Sequence, residues 1–260
     1  MLHALYNKKI KFSSTYSNII YNEDLLTSSF FGLFQYLPSN LIIDILSDST
    51  NLKLKHEEIG ELKEILFWPK YNSKGTSNKN FVEPDIFMEF EYADMLFEIK
   101  HKDGFGQYTN QWENEIISYY NEYSENNKSI YFFAIGGNTN LISESLLIDG
   151  RKHIINKTSW HLLLNKVVNT KKSIINNIIK IDNEKGVIRI IDDIITSFEK
   201  HNYYQINWFK NIDLKYSINN NAEKIINKWK IGDKSFLFKI AENREKINND
   251  TLNIISKWKI

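Results

Sequence analysis

A chain of 260 residues that is 42% hydrophobic and 14% aromatic has enough apolar mass for one substantial core, which excludes a disordered or low-complexity protein. It holds no cysteine, so disulfides, thiolate zinc sites and a cysteine nucleophile are excluded together, and a cytoplasmic compartment is expected. The net charge of +1 conceals an asymmetry: residues 1–150 hold 12 Lys/Arg against 21 Asp/Glu, a net of −9, whereas residues 151–260 hold 21 against 11, a net of +10.

An acidic half able to hold cations and a basic half able to hold a polyanion suit an enzyme acting on nucleic acid; two halves that simply attract each other account for the asymmetry equally well. The first twenty residues lack a long apolar stretch, and no run reaches the ~18 apolar residues of a membrane span, so a soluble protein with no membrane partner is expected. Residues 22–37, "NEDLLTSSFFGLFQYL", predict a helix with Asn22 as N-cap, Glu23 and Asp24 at the positive dipole end and Pro38 as its stop. Leu26, Phe30, Leu33, Phe34 and Leu37 form its core stripe, on which Glu23 also falls. An alternating run at 41–47 and a charged segment from Lys53 to Glu64 precede a short strand, "EILFWP", and the loop "KYNSKGTSNKN".

The next stretch, "EPDIFMEFEYADMLFEIKHK" at 83–102, reads as a hairpin of two alternating runs. Residues 107–123 predict a helix, "SIYFFAIGG" at 129–137 a buried strand ended by two glycines, and a further helix starts at Thr158 or Ser159. "GVIRIIDDIITSFEKH" has helical spacing, and no firm domain boundary is drawn from these patterns alone.

The hairpin carries acids at unusual places. Pro84, Ile86, Met88 and Phe90 share one strand face and Ala93, Met95, Phe97 and Ile99 another, which leaves Asp85 and Glu89 with Asp94, Glu98 and Lys100 opposite. A turn centred near Glu91 and Tyr92 brings position 85 opposite or diagonal to 98, with Cβ atoms about 5–8 Å apart. Lys100 projects on the same side, roughly 6–7 Å along the strand. Two carboxylates that close repel unless a cation lies between them. Oxygen ligands without clustered histidine point to Mg²⁺ or Mn²⁺, which polarises a phosphoryl oxygen and lowers the pKa of a bound water. A nearby lysine can orient or deprotonate that water, or stabilise developing phosphorane charge.

Pro84-Asp85, twelve residues, then Glu98-Ile99-Lys100 resembles the signature of the PD-(D/E)xK nuclease superfamily, whose members hydrolyse phosphodiester bonds, mostly in DNA, with Mg²⁺. The element order read from residue 22 to about 137 matches that family's core. The resemblance implies an α/β fold with a restriction-endonuclease-like core (helix, three-stranded meander, helix, strand) over residues 1–165 and leaves the rest unassigned; a basic α+β extension over 166–260, in contact with DNA or serving oligomerisation, is expected from its charge. It implies that Asp85 and Glu98 bind the metal, that the Ile99 carbonyl adds a ligand, and that Lys100 is the catalytic lysine. It also places Glu23 as the acid that many members carry on the first helix, a further catalytic and metal-binding candidate. Gln111-Trp112-Glu113-Asn114-Glu115 resembles the Gln-Leu-x-x-Glu of some bacterial branches, with Trp for Leu; Gln111 is then the site glutamine and Gln107 its rival.

Each assignment has a structural competitor. The acids and Lys100 fit the open face of a solvated hairpin, Glu23 fits a helix dipole, Gln111 a helix surface, and His101 a structural or substrate-facing role. Lys228-Trp229-Lys230 and Lys257-Trp258-Lys259 interleave basic and aromatic residues that could meet nucleic acid, although strand alternation alone would put lysines outward and tryptophan inward. No phosphate-binding loop, serine-hydrolase elbow or zincin motif occurs. The expected activity is a Mg²⁺-dependent endonuclease of prokaryotic defence, restriction or mobile-element processing, with DNA (or RNA) as partner and a homodimer or partner protein in view. The alternatives are a non-catalytic nucleic-acid-binding subunit and a nuclease active only with partners.

Overall fold

A computed structural model describes residues 2–9, 23–101, 106–124 and 128–204. The chain divides into two compact units, Met1–Gln205 and Ile206–Ile260, of which the second lies outside the described residues, as do Asn22, Lys228, Trp229, Lys230, Lys257 and Lys259.

In chain order the first unit runs α1 (Leu2–Tyr6), α2 (Glu23–Phe34), α3 (Ser39–Asp48), α4 (His56–Ile59), β1 (Leu62–Phe67), β2 (Tyr71–Asn72), β3 (Phe81–Val82), β4 (Ile86–Phe90) and β5 (Ala93–Ile99). It continues with α5 (Thr109–Glu122), β6 (Ser129–Ile135), β7 (Glu144–Ile148), β8 (Arg151–Thr158), α6 (Trp160–Ile175) and α7 (Glu184–Lys200). The fold is α/β, built on a mixed six-stranded sheet of order β1-β4-β5-β6-β8-β7, with β2 and β3 as a separate two-stranded ribbon. β1, β4 and β5 form an antiparallel meander, and β6 then joins β5 in parallel after the α5 crossover.

Strand alternation sorts the hairpin as the sequence suggests. Ile86, Met88, Phe90, Ala93, Met95, Phe97 and Ile99 enter the large core, where Phe30, Phe31 and Phe34 of α2, Leu41 and Ile42 of α3, Trp160 and Leu163 of α6, and Ile191 and Phe198 of α7 cover the sheet. Phe87 and Leu96, of opposite parity, pack with Phe132 and Ile155 against Trp112, Ile116 and Tyr119 of α5. Both faces of the central strands are therefore covered, and every residue of β5 is buried. The competing picture of an open, solvated hairpin face is thereby overturned: the α5 face is a second core.

Two local expectations change. The alternating run at 41–47 is a helix, α3, because Leu41, Ile42, Ile45 and Leu46 form a buried stripe of helical spacing and Pro38 stands at its N-cap with extended ψ. An apolar run this short fits both periods, and the tertiary contacts decide. Beyond β6, the unforeseen hairpin β7–β8 turns on Asp149-Gly150, both at positive φ (49° and 75°), as a two-residue primed turn requires. α6 opens at Trp160 with Ser159 capping, its side chain accepting from the Leu162 N–H. Residue 165, where a division between nuclease-like domain and extension is expected, lies inside α6, and α7 packs in the same core as α2.

At the turn end of the β4–β5 hairpin, Glu89 pairs with Asp94 in register. Asp94 is fully buried; its Oδ2 accepts from the Tyr119 hydroxyl at 2.8 Å, and its Oδ1 lies 3.2 Å from Lys128 Nζ, which also reaches Glu89 Oε1 at 2.8 Å and the Phe90 carbonyl at 2.7 Å. Burial pushes the Asp94 pKa up, while Tyr119 and Lys128 pull it back. Removing the ammonium strands a buried carboxylate, so Lys128→Ala should lower the unfolding free energy by about 3 kcal/mol in a urea titration. Adding Asp94→Asn should recover much of that loss; additive losses in the double variant would contradict the pairing.

Candidate active site

The hairpin register Ile86↔Phe97, continued by one residue, sets Asp85 across from Glu98. Asp85 is fixed at both oxygens: the Ile99 N–H donates to Oδ2 at 2.8 Å and the Trp68 indole N–H to Oδ1 at 3.1 Å. Trp68 takes a left-handed φ of 51° at the end of β1, and its own N–H donates to the Asp85 carbonyl at 3.0 Å. The acid is thus oriented by a strand on each side.

Glu98 is 1% exposed and accepts a hydrogen bond from Lys100 Nζ. The same ammonium lies 3.1 Å from the Ile99 carbonyl oxygen and 3.7 Å from Glu23 Oε1. Glu23 Oε2 accepts from the His101 N–H at 2.8 Å, so the acid at the start of α2 reaches the C-terminal end of β5. Glu115, one turn beyond Gln111 on α5, is also 1% exposed and lies within hydrogen-bonding reach of Glu98. Four carboxyl groups therefore gather around one lysine: Glu23 from α2, Asp85 before β4, Glu98 on β5 and Glu115 on α5.

The electrostatics follow from that crowding. Burial, then the Glu98 charge, holds the Asp85 carboxyl well above the usual range. Burial and the Glu98 carboxylate do the same to Glu115, and burial alone is the main reason that the Glu23 pKa rises. For Lys100, burial acts to lower the pKa, but Glu98, Glu23 and Asp85 outweigh it and raise the ammonium above its ordinary value.

The backbone of Lys100 is clamped as well. Its N–H donates to the Ile135 carbonyl at 2.8 Å, and its carbonyl accepts from the Trp160 indole N–H at 2.9 Å. Gly136 has φ of 67°, and a Cβ there would come within 2.1 Å of the Lys100 carbonyl oxygen, so only glycine lets β6 end against this residue. Trp160 is core and clamp together. His101 contributes backbone groups: its N–H serves Glu23 and its carbonyl accepts from the Tyr203 hydroxyl.

The two glutamines separate. Gln107 donates to the Glu98 carbonyl at 3.1 Å and accepts from the Trp112 indole N–H at 2.7 Å, tying the start of α5 to β5. The Gln111 side chain instead lines a cleft of about 520 Å³ that runs to Glu115 between α5 and the 77–83 segment. Sequence reasoning set Glu115 inside a motif without naming it as a site residue, and passed over Trp68. The helical spacing of Glu115 from Gln111 was the available signal for the first; no sequence signal marked the second.

Among the described residues no group of three or more His, Asp or Glu side chains converges at metal-ligand spacing, and the Lys100 ammonium takes the Glu98 oxygen for which a cation would compete. The donor set nevertheless suits a hard divalent cation. Asp85, Glu98 and the Ile99 carbonyl present oxygen atoms on neighbouring positions of the hairpin, and Glu115 Oε2 is buried with no hydrogen-bond partner among the described residues.

No family model matches the chain, and no solved structure matches it. A 117-residue stretch is 35% identical to an uncharacterized protein of Pasteurella multocida, covering 44% of this chain and 42% of that protein. The matched stretch thus spans less than half the length of that relative.

An acid whose folded-state pKa is raised stabilises the fold fully below its unfolded pKa and loses that contribution as pH rises through the folded value. In metal-free buffer, Glu115→Gln should therefore flatten the fall in thermal midpoint as pH rises above the ordinary glutamate range, relative to the unsubstituted protein. Parallel curves for the two proteins would show that Glu115 does not titrate abnormally.

Proposed function

We propose that this chain is a Mg²⁺-dependent endonuclease with a restriction-endonuclease-like core that hydrolyses DNA phosphodiester bonds. The observation that carries the reading is the placement of Asp85 across the hairpin from Glu98, with Lys100 on the same side and the unsatisfied Glu115 oxygen beside them. The helix α2, the meander β1-β4-β5, the crossover α5 and the parallel strand β6 supply the order of elements that such a core has.

In this reading Asp85, Glu98 and the Ile99 carbonyl hold the metal, with Glu115 as a further oxygen donor beside them. When bound, Mg²⁺ supplies charge to polarise a phosphoryl oxygen and to acidify a water. The chain's own contribution centres on Lys100. Without a metal the neighbouring carboxyl groups keep it an ammonium, which suits donating hydrogen bonds to the attacking water or to a non-bridging phosphate oxygen. Glu23, 3.7 Å from Nζ, positions that ammonium and offsets its charge. Trp68 and the Ile99 N–H orient Asp85, and Gln107 fixes α5 to the carbonyl edge of β5. A prokaryotic defence, restriction or mobile-element role fits what such cores are commonly used for and rests on that analogy.

A second reading is a nuclease subunit active only with a partner. The ion pair between Glu98 and Lys100 favours it, since that pair must open before Glu98 can hold a cation, and a partner or the substrate phosphate could draw the lysine away.

Supercoiled plasmid incubated with the protein and Mg²⁺ or Mn²⁺ should be nicked or linearised. Lys100→Ala should reduce the rate by about 100-fold or more while circular dichroism shows that the variant is still folded at the assay temperature, even though loss of the ammonium beside Glu98 lowers its thermal midpoint. Unchanged cleavage by a folded Lys100→Ala variant would overturn the assignment. Activity of the unsubstituted chain only after a co-purifying protein is added would select the second reading.

A further inference from the structure

Beside the acidic centre, the cleft leading to Glu115 is built differently from its surroundings. Its walls are Ser77, Asn78, Phe81, Tyr108, Gln111 and Asn114, together with Glu83, whose charge is already met by an ion pair with Lys9. At about 520 Å³ it lies within the ~300–1,000 Å³ typical of small-ligand sites. Two aromatic rings stand exposed on its rims, Phe81 at 41% and Tyr108 at 66%. Nothing in the fold requires rings there, because the α5 face is already filled by Tyr71, Phe87, Trp112 and Tyr119.

The segment that forms one wall is fastened rigidly to α5 by side chains. Asn114 accepts from the Ser77 N–H at 3.1 Å and donates to Ser77 Oγ at 2.8 Å, and Asn121 donates to the Asn72 and Lys74 carbonyls at 2.9 and 2.8 Å. Glu122 accepts from the Asn72 N–H at 2.7 Å. These bonds consume Asn114, Asn121 and Glu122, whereas the half-buried Gln111 side chain has no hydrogen-bond partner among the described residues. Lys70, Lys74 and Lys79 lie exposed along the same segment without ion-pair partners among the described residues, and Lys70 Nζ sits 4.7 Å from the Phe81 ring centroid.

We infer that this cleft takes an unpaired nucleotide of a DNA strand, with the base between Phe81 and Tyr108, its edge within reach of Gln111, and the flanking phosphates on Lys70, Lys74 and Lys79. Every base has a π-face to stack, an amide offers one donor and one acceptor to a base edge, and a file of lysines tracks a polyanion. A base inside a duplex is stacked on both sides and cannot enter between two rings, so the preferred substrate is single-stranded or locally unpaired DNA. The inference rests on the nuclease reading for the identity of the polymer, but it concerns binding and can be measured without cleavage.

The test uses fluorescence anisotropy with oligo-dT and with a blunt duplex of the same length, in Ca²⁺, alongside a cleavage assay in Mg²⁺. The full chain should bind the single strand at least about tenfold more tightly than the duplex, and Phe81→Ala and Tyr108→Ala should each weaken the single strand by about tenfold while sparing the duplex. Both rings are exposed, so these variants should keep the thermal midpoint. Lys74→Ala/Lys79→Ala should weaken binding and flatten its salt dependence. Equal affinity for both DNA forms, or aromatic variants that bind oligo-dT normally, would overturn the inference. Single-strand preference lost with Phe81 and Tyr108, but with no cleavage in any divalent ion, would uphold the cleft and remove the nuclease reading. Plasmid cleavage dependent on Lys100 with no such preference would do the reverse.

Discussion

Four carboxyl groups share one ammonium, and much of the molecule is arranged to make that tolerable. Glu23, Asp85, Glu98 and Glu115 come from α2, the residue before β4, β5 and α5, so their proximity exists only when α2, the hairpin and α5 are all docked on the sheet. Like charges in a buried space drive protonation or demand a counter-charge. Here both responses are visible: Asp85 and Glu115 are pushed toward the neutral acid, and Lys100 is pushed toward the cation. The fold tolerates this crowding by bracing the lysine. β6 holds its N–H, Trp160 holds its carbonyl, and Gly136 lets the two strands meet closely enough for both contacts. The large aromatic core beneath α2, α6 and α7 then serves a positional purpose, since Trp160 packs against Phe30 and Phe198 and so transmits the rigidity of three helices to one residue of the site.

That arrangement also separates the roles of the two sheet faces. The face toward α2, α6 and α7 is wholly apolar along β4 and β5, whereas the face toward α5 is apolar in the middle, at Phe87 and Leu96, and charged at both ends. Helix α5 answers that pattern with Trp112, Ile116 and Tyr119 over the middle, Glu115 toward the open end and the Tyr119 hydroxyl toward the turn. Its outer turns meanwhile carry the asparagines that fasten the 71–78 segment. One helix thus completes the acid cluster and anchors a wall of the neighbouring cleft.

Much of this was legible in the sequence for a simple reason: strand parity is strict. Once Ile86, Met88, Phe97 and Ile99 are assigned to one face, Asp85, Glu98 and Lys100 must share the other, and the turn at Glu91–Tyr92 fixes their register. The parts that escaped depend on contacts between distant segments. α3 hid in a run whose period was ambiguous, and the β7–β8 hairpin announced itself only through Asp149-Gly150. Trp68 as the partner of Asp85, and Gln107 rather than Gln111 as the glutamine tied to β5, follow from the way β1 and α5 dock. No pattern along the chain reports that docking. Lys228, Lys230 and their counterparts lie outside the described residues.

The β4–β5 hairpin carries its own reference measurement. At each end two acids face each other across the strands near one lysine: Glu89 and Asp94 both pair with Lys128 near the turn, and at the open end Glu98 pairs with Lys100 while the same charge acts on Asp85. The turn end shows that this scaffold can bury an acid when it supplies partners for it, because Tyr119 and Lys128 together serve both oxygens of Asp94. The hairpin and α5 are common to both ends. What is left is a difference of composition: the open end adds two further carboxyl groups and, among the described residues, leaves a Glu115 oxygen unserved where the turn end supplies a hydroxyl. The asymmetry of one small hairpin therefore measures how far its open end departs from what folding alone requires.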